Sequence, residues 1–262
     1  MDITTTLGTI FAILCVCIAA FAPHPIGEGS NPMQFLNMPA FIIIGGGTLC
    51  ATMISVGMAE MRQIPTYLRI AFGNTQMKSL EQEIQDLITY AEKARREGLL
   101  SLEDHVKDMP PGIVRQILGM IVDGTEPDII HKVMENEVSA METRHKKGID
   151  LFTTAGGYSP TMGIIGTVMG TVSVLAGLAE KGMEELGSGV AVAFIATFYG
   201  ISLANLILLP ISGKLKFKSD EEIFRMRLIF EGFSGLQHGE NPHVVQMRLN
   251  AFLEGRKRLT KE

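Results

Sequence analysis

The sequence predicts an all-α integral membrane protein with four transmembrane helices and a helical cytoplasmic domain. Two observations lead to this fold class. The chain is 46% hydrophobic with a mean hydropathy of +0.24, which is too apolar for an ordinary soluble protein of 262 residues. It also contains four apolar runs free of Asp, Glu, Lys, Arg and His, at residues 3–22, 36–58, 151–179 and 187–213.

The first apolar run is predicted to be a retained transmembrane helix. Its Ala20-Phe21-Ala22 triplet is similar to a signal-cleavage site, but no basic residue precedes the run, and a signal peptide needs a positively charged start. A Pro- and Gly-containing turn at 23–35 leads to the second run. There, Gly45-Gly46-Gly47 indicates close helix packing, because the Lys-Ser or Lys-Thr of a phosphate loop does not follow.

The polar segment 61–149 begins with a predicted helix over Met77–Glu97, in which apolar residues recur at helical spacing. Gly98 is expected to end this helix. Ser101 and Asp104 then have the spacing of a capping box for a short helix.

A further helix is predicted over Ile113–Val122, after the Pro110-Pro111 break. Thr125 is the expected N-cap of the next helix, with Asp128 as its capping carboxylate. That helix is expected to continue through Lys147 into the third apolar run.

The third apolar run is longer than a membrane requires. Its 29 residues form a helix of roughly 44 Å, whereas the hydrocarbon core is about 30 Å thick. Gly166 and Gly170 form a GxxxG pair, which favours close helix packing, and Pro160 removes one backbone hydrogen bond. The run also holds seven Ser and Thr residues. Two interpretations remain open at this point: a packed helix with a structural kink, or a helix that lines a hydrated path.

The fourth run, up to about Gly213, contains Thr197, Tyr199, Asn205 and Pro210. The tail that follows is amphipathic and of mixed charge. Asn241-Pro242, an N-cap followed by proline at the first helical position, predicts a last helix to about Leu253.

The basic residues predict the orientation in the membrane. Twelve Lys and Arg lie in 61–149, ten follow Gly213, one lies in the 180–186 loop, and none lies in 23–35. The positive-inside rule then places both termini and the large loop in the cytoplasm. The predicted domains are two transmembrane helices in 1–60, a cytoplasmic helical domain in 61–149, two further spans in 150–213, and cytoplasmic helices in 214–262.

The predicted spans contain no carboxylate, which excludes the usual proton relay within this chain alone. If the Thr-rich helices line an ion path, the titrating acid must come from another subunit. Signs of an enzyme are absent, since the six histidines show no metal-binding spacing and no serine lies in a nucleophile elbow. The net charge of −5 gives no sign of a nucleic-acid partner. No cofactor is expected.

Several segments, in this order, carry a family resemblance. They are Ala94-Arg-Arg-Glu-Gly-Leu-Leu-Ser-Leu-Glu103, Ser159-Pro-Thr-Met-Gly-Ile-Ile-Gly-Thr167, Ala196-Thr-Phe-Tyr-Gly200 with Ala204-Asn205, Pro210-Ile-Ser-Gly-Lys-Leu215, and Gly239-Glu-Asn-Pro242. Together with the four-span order, they resemble the A subunit of the bacterial flagellar stator, the MotA/PomA family within the MotA/TolQ/ExbB group. The resemblance covers essentially the whole chain.

This resemblance implies an inner-membrane homopentamer around two transmembrane helices of a MotB/PomB-like B subunit, whose aspartate binds the permeating ion. The third and fourth spans would line the path. Pro160 matches the family proline near the B-subunit aspartate, and Pro210 matches the second family proline, which is linked to coupling. Tyr199 belongs to the same set of path and coupling residues. Arg95 and Glu103 match the residues that engage the rotor switch-complex protein, which is FliG-like. Sodium-type members carry hydroxyls at the positions of Thr167 and Thr197, often with another Thr just before the latter. Residue 196 is Ala here, so the transported ion is a proton or sodium.

Three other functions remain as alternatives. One is a TolQ/ExbB-like energiser of an outer-membrane transport system, although those relatives usually have three spans and a different loop order. Another is a non-conducting membrane scaffold, which would tolerate packing-preserving changes at Pro160 and Thr167. The third, a transporter that works without a partner, is disfavoured because the spans hold no buried acid.

Overall fold

The computed structural model describes residues 3–21, 35–73, 78–177, 183–253 and 255, and every regular element in these ranges is a helix. Most of the predicted turn at 23–35 and part of the 180–186 loop lie outside the described residues. The chain divides into two compact units. The first unit comprises Met1–Asn74 and His145–Phe217, and the second comprises Thr75–Arg144 and Lys218–Glu262.

The first unit begins with helices that follow the apolar runs. Asn37 caps the second of them, because its side-chain oxygen accepts a hydrogen bond from the Ala40 amide at 3.0 Å. Gly57, with φ of 82°, ends that helix and precedes a short one. The helices are α1 (Ile3–Phe21), α2 (Met38–Val56, with a wide π-helical turn at Ile42–Gly46), α3 (Met58–Met61) and α4 (Ile64–Phe72).

The first helix of the second unit, α5 (Leu80–Glu97), ends where the sequence predicts. Ser79 forms a capping box with Gln82 at its start, and Gly98 takes φ of 84° after its last residue. Glycine adopts this left-handed conformation without a Cβ clash, so the chain reverses there.

The predicted capping box at Ser101 is wrong. Ser101 lies within a 3₁₀ turn, Leu99–Leu102, and its hydroxyl donates to the Gly98 carbonyl at 2.7 Å. The next helix, α6 (Glu103–Asp108), starts after Leu102 without a side-chain cap. Burial decides this outcome, because the 3₁₀ turn places the Leu102 side chain fully inside the core.

Helix α7 (Ile113–Val122) has the predicted bounds, and α8 (Pro127–Ala176) confirms one continuous helix into the third apolar run. The predicted cap at Thr125 is wrong, since Thr125 belongs to the preceding turn, with its amide donating to the Met120 carbonyl at 3.0 Å. Pro127 is the first helical residue, a position where a missing N–H costs nothing. With 50 residues, α8 is about 75 Å long.

The fourth apolar run forms α9 (Met183–Leu203) and a π-helical turn (Ala204–Leu208) and then continues as α10 (Leu209–Gln237). The wide turn lies immediately before Pro210, whose ring cannot donate to the preceding turn. Helix α11 (Pro242–Leu249) starts as predicted, because the Asn241 side chain accepts from the His243 amide at 3.1 Å. A 3₁₀ turn, Asn250–Phe252, follows it.

Each unit has its own core. In the second unit, α5, α7, α10 and α11 bury side chains such as Ile84, Leu118 and Leu228 to zero exposure. Two arginines of this unit tie helices together: Arg225 pairs with Glu83 at 3.2 Å, and Arg248 pairs with Glu231 and Glu240. In the first unit, a smaller cluster packs α4 against the apolar helices, with members Tyr67, Ala71, Leu151, Phe152, Ile211 and Leu215.

Three of the described helices are long and apolar enough to cross a membrane: Met38–Val56, Pro127–Ala176 and Gly189–Gln237. Less than a third of each apolar window is buried inside the chain. Their outward faces are therefore available to lipid or to other chains. Helix α1 adds a shorter apolar segment, Thr4–Ile18.

We expect Leu118→Ala to lower the free energy of unfolding by about 2–5 kcal/mol, because it leaves a cavity at a fully buried position. The control is Leu100→Ala, at a side chain with 73% exposure, which should change stability by no more than about 0.5 kcal/mol. Loss of the helical circular dichroism signal on heating the purified chain in detergent measures the stability of both variants. Equal shifts for the two variants would contradict the assignment of this core.

Candidate functional site

Small residues bring α8 and α9 into direct backbone contact along one line, here called the seam. On α8 the spacing of these residues is four, three and four, which keeps them on one helix face. Facing them on α9 are residues spaced by three and four. The seam consists of Ser159, Gly163, Gly166 and Gly170 on α8, and Ala193, Ala196 and Gly200 on α9.

The closest approach lies at Gly163 and Gly200. A methyl group added to Gly163 would lie 3.0 Å from the Ala196 carbonyl oxygen and 3.1 Å from the Thr197 Cα. One added to Gly200 would lie 2.6 Å from the Ser159 carbonyl oxygen. The fully buried Ser159 hydroxyl donates to the Gly200 carbonyl at 2.8 Å, which fixes the height of one helix against the other.

The predicted pair Gly166 and Gly170 lies on the same seam. A methyl group at Gly166 would lie 2.7 Å from the Cβ of Ala196, and one at Gly170 would lie 2.9 Å from the Cβ of Ala193. Only hydrogen side chains fit at this separation, as in close GxxxG packing. Of the three predicted packing glycines on α2, Gly47 alone meets a neighbour, the Met162 sulfur.

Thr167 and Thr197 come together across the seam, with their hydroxyls in direct hydrogen-bond contact. The Thr167 hydroxyl also lies 3.0 Å from the Gly163 carbonyl and 2.9 Å from the Ala193 carbonyl. Three oxygens, from Thr197, Gly163 and Ala193, thus surround the Thr167 hydroxyl, which has a single proton to donate. The cluster of oxygens is neutral and half-buried.

The two prolines lie in turns that touch. Pro160 lies inside α8 and has no amide hydrogen to donate to the Gly156 carbonyl, four residues earlier. A methyl group on Gly156 would lie 2.6 Å from the Leu209 side chain, directly before Pro210. The helix turn that Pro160 weakens therefore packs against the turn in which α10 begins.

Tyr199 lies apart from the threonine pair. It follows Thr197 by two residues, or about 200° around the helix. Its hydroxyl donates to the Phe35 carbonyl and accepts from the Asn37 amide at 3.3 Å, at the start of α2. These bonds tie α9 to the beginning of the second apolar helix. Asn205 bonds only within its own helix among the described contacts, to the Ile201 carbonyl.

The predicted rotor-contact residues lie in the second unit. Arg95 is exposed in the last turn of α5, and no residue in the described part of the chain forms an ion pair with it. Glu103 begins α6 and pairs with Lys107 at 2.9 Å. The hydrogen bond that Lys107 donates to Glu103 raises the pKa of Lys107 above its ordinary value. The side chains of Arg95, Glu103 and Lys107 are all exposed, so solvent screens their charges.

Sequence reasoning missed two polar contacts of the first unit. Ser212 on α10 is buried, bonds Thr153 at 2.7 Å and donates to the Ile149 carbonyl at 3.0 Å. On α4, the Tyr67 hydroxyl donates to Glu60 at 3.0 Å. Burial, aided by that bond, raises the pKa of Tyr67 to about 12. The run of Ser159, Gly163 and Gly166 at helical spacing was the available signal for the seam, whereas nothing local pairs Ser212 with its partners.

Residues 105–228 match the model of the MotA/TolQ/ExbB proton channel family. The chain is 33% identical to "Motility protein A" of Bacillus subtilis over 259 residues, covering 99% of this chain and 93% of the relative. It is 28% identical to "Chemotaxis protein PomA" of Vibrio alginolyticus, covering 98% of each.

Two solved structures share the whole fold. The chain matches a protein in the structure of MotAB from C. jejuni with a TM-score of 0.88 at 27% identity, covering 100% of both chains. It matches one in the flagellar MotAB stator complex of Bacillus subtilis with a TM-score of 0.87 at 32% identity, covering 98% of both.

We expect Gly163→Ala to push α9 away from α8, because the added methyl meets backbone atoms that cannot yield. Overpacking of this kind costs about 1–3 kcal/mol. The control is Gly213→Ala, where nothing lies within 4 Å of the added methyl. Thermal unfolding in detergent should show destabilisation for the first variant alone, and an unchanged melting temperature for Gly163→Ala would contradict the seam.

Proposed function

From its membership of the MotA/TolQ/ExbB proton channel family, within which it belongs to the MotA/PomA group, we infer that this chain is a flagellar stator subunit acting with a B subunit in an ion-conducting complex. The observation that carries this function is the likeness over essentially the full length to subunits of MotAB stators. Deletion of the gene should abolish flagellar rotation while flagella are still built. Unchanged swimming after deletion would overturn the function.

The proposed topology has four spans, α1, α2 and the apolar parts of α8 and α9, in the inner membrane. At 19 residues, α1 is about 28 Å long, close to the thickness of a hydrocarbon core. The Lys and Arg distribution, with 22 of 23 in 61–149 and after Gly213, supports a cytoplasmic location for both termini.

We place the ion path at the threonine pair. A cation that reaches Thr167 and Thr197 meets two hydroxyl oxygens and two backbone carbonyls that replace part of its hydration shell. These oxygens are neutral, and the apolar runs of 151–179 and 187–213 hold no Asp or Glu. The negative charge must therefore come from a facing B-subunit aspartate, around which copies of this chain form a ring, with five as the proposed number.

Residue 196 contributes no side-chain oxygen to this path, for a steric reason. Ala196 is 2% exposed, and its Cβ lies against Gly166, so a threonine there would push the helices apart. The path thus keeps two threonine hydroxyls. Either a proton, passed through hydrogen bonds, or a sodium ion, held by oxygens, is compatible with that set.

Coupling is proposed to run through the two proline turns. When a cation replaces the bond between the threonine hydroxyls, α8 and α9 move slightly against each other at this level. Pro160 makes α8 easier to bend at this level, and the contact between Gly156 and Leu209 passes the movement to the start of α10.

We expect Thr167→Val to reduce ion flux and swimming speed, because the isosteric valine removes one oxygen from the path. If that oxygen contributes about 1.4 kcal/mol, a typical hydrogen-bond value, ion occupancy falls about tenfold. The control is Thr143→Val on the same helix, where the lost bond, to the Ser139 carbonyl, is exposed and local.

Swimming speed measured against external sodium at fixed pH tests the effect of Thr167→Val. The same measurement identifies the transported ion. A sodium-dependent speed assigns sodium, and a sodium-independent speed assigns the proton. Wild-type ion flux in Thr167→Val would show that the threonine pair does not line the path.

The rotor contact is proposed at Arg95 and Glu103, which are exposed on neighbouring helices of the second unit. We expect reversal of both charges, Arg95→Glu with Glu103→Arg, to leave the membrane level and B-subunit binding unchanged and to weaken motility. Exposed charges contribute steering and register more than affinity, so engagement with a FliG-like rotor protein should slow by about tenfold or more.

A matched double reversal at Glu137 and Arg144 controls for altered charge on the same unit. Both lie on α8, and neither forms a described ion pair. Normal swimming of the variant reversed at Arg95 and Glu103 would show that these residues are not part of the rotor contact.

A further inference from the structure

One large apolar side chain of the second unit stands out by its exposure. Leu100 is 73% exposed, compared with 56% for Met247 and 48% for Ile129 in the same unit. A single exposed leucine needs no explanation by itself. What distinguishes Leu100 is the way the chain holds it and the charges on either side of it.

The turn that carries Leu100 is fixed from both ends. Gly98, with φ of 84°, caps α5 through a bond from its amide to the Ala94 carbonyl at 2.9 Å. The Ser101 hydroxyl bonds back to Gly98 at 2.7 Å. In a 3₁₀ turn, residues three apart lie on one side, and here Leu99 and Leu102 pack into the core. Leu100 is thereby turned to solvent on a short, braced turn.

The helix that follows is braced as well. The ring of His105 on α6 packs edge-on against Tyr90 of α5, with centroids 5.4 Å apart. Lys93 reaches the same His105 ring at 3.4 Å. The Leu100 side chain therefore has little backbone freedom to lose when another protein covers it, and preorganisation of this kind improves affinity.

Opposite charges flank this leucine. Arg95 and Arg96 lie in the last turn of α5, and Glu103 and Asp104 lie in the first turn of α6. The side chains of Arg96, Glu103 and Asp104 are 77%, 59% and 88% exposed. Ion pairs at such exposure contribute only about 0–1 kcal/mol each, so charges alone do not hold a partner under load.

We propose that Leu100 is the apolar anchor of the rotor contact, and this inference rests on the proposed function. The partner it fits is the rotor switch-complex protein, at an apolar depression between an acidic side chain that faces Arg95 and a basic one that faces Glu103. The leucine supplies the desolvated centre of the contact, and the charges form its rim and set its register.

The test uses the full-length chain, assembled with its B subunit in lipid nanodiscs, and the purified rotor switch-complex protein. Leu100→Ser should weaken binding about tenfold or more, as loss of an interface anchor does, at both low and high salt. Leu100→Met keeps the apolar volume and should bind like the wild type. Met247→Ser, the matched control, removes another exposed apolar side chain of the unit and should have no effect.

Salt dependence separates the anchor from its rim. Arg95→Glu with Glu103→Arg should weaken binding most at low salt, because salt screens exposed charges, whereas the loss in Leu100→Ser should persist at high salt. Circular dichroism and copurification with the B subunit check that each variant is assembled.

The outcomes distinguish the anchor from the proposed function. If the wild-type complex binds the rotor protein and Leu100→Ser binds equally well, the anchor is overturned and the function stands. If the wild-type complex does not bind and deletion of the gene leaves swimming intact, both are overturned. A photoreactive residue at position 100 should crosslink to the rotor protein in swimming cells, and crosslinks to other copies of this chain alone would also overturn the anchor.

Discussion

The close contact between α8 and α9 is the constraint on which the proposed ion path depends. Lipid offers little hydrophobic drive for helix association, so the helices must gain packing and hydrogen bonds instead. Gly163 and Gly200 let the backbones meet, and the buried Ser159 hydroxyl holds them in register through Gly200. Only at this separation do the hydroxyls of Thr167 and Thr197 reach each other. Larger side chains on the seam would leave two separate threonines.

The seam is also neutral, and this has an energetic reason. A carboxylate held permanently between two packed helices would cost several kcal/mol unless a partner charge stayed with it. Hydroxyls and carbonyls satisfy one another across the seam, so it carries no unpaired charge. The proposed path therefore needs its negative charge from outside the chain, which is the role proposed for the B-subunit aspartate.

Local chemistry predicted much of the helical architecture. Gly98 and the bounds of α7 follow from residues within a few positions, and so does the cap at Asn241. The predictions at Ser101 and Thr125 are wrong because each competes with an event beyond the local motif. Burial of Leu102 fixes the first, and the bond from the Thr125 amide to Met120 fixes the second. A capping motif is a local preference, which core packing overrides at Ser101 and the turn that closes α7 overrides at Thr125.

The candidate site was only half predictable for a related reason. Thr167 and Gly166 stand out by composition and spacing, but nothing in the sequence states that Thr197 faces them while Tyr199 points elsewhere. Helix rotation decides this, since two residues turn the side chain by about 200°. The register that selects Thr197 comes from the small residues Ala193, Ala196 and Gly200, spaced by three and four on α9. A threonine in such a small-residue face is held against a neighbouring helix, whereas one outside it remains with its own carbonyl, as Thr171 does.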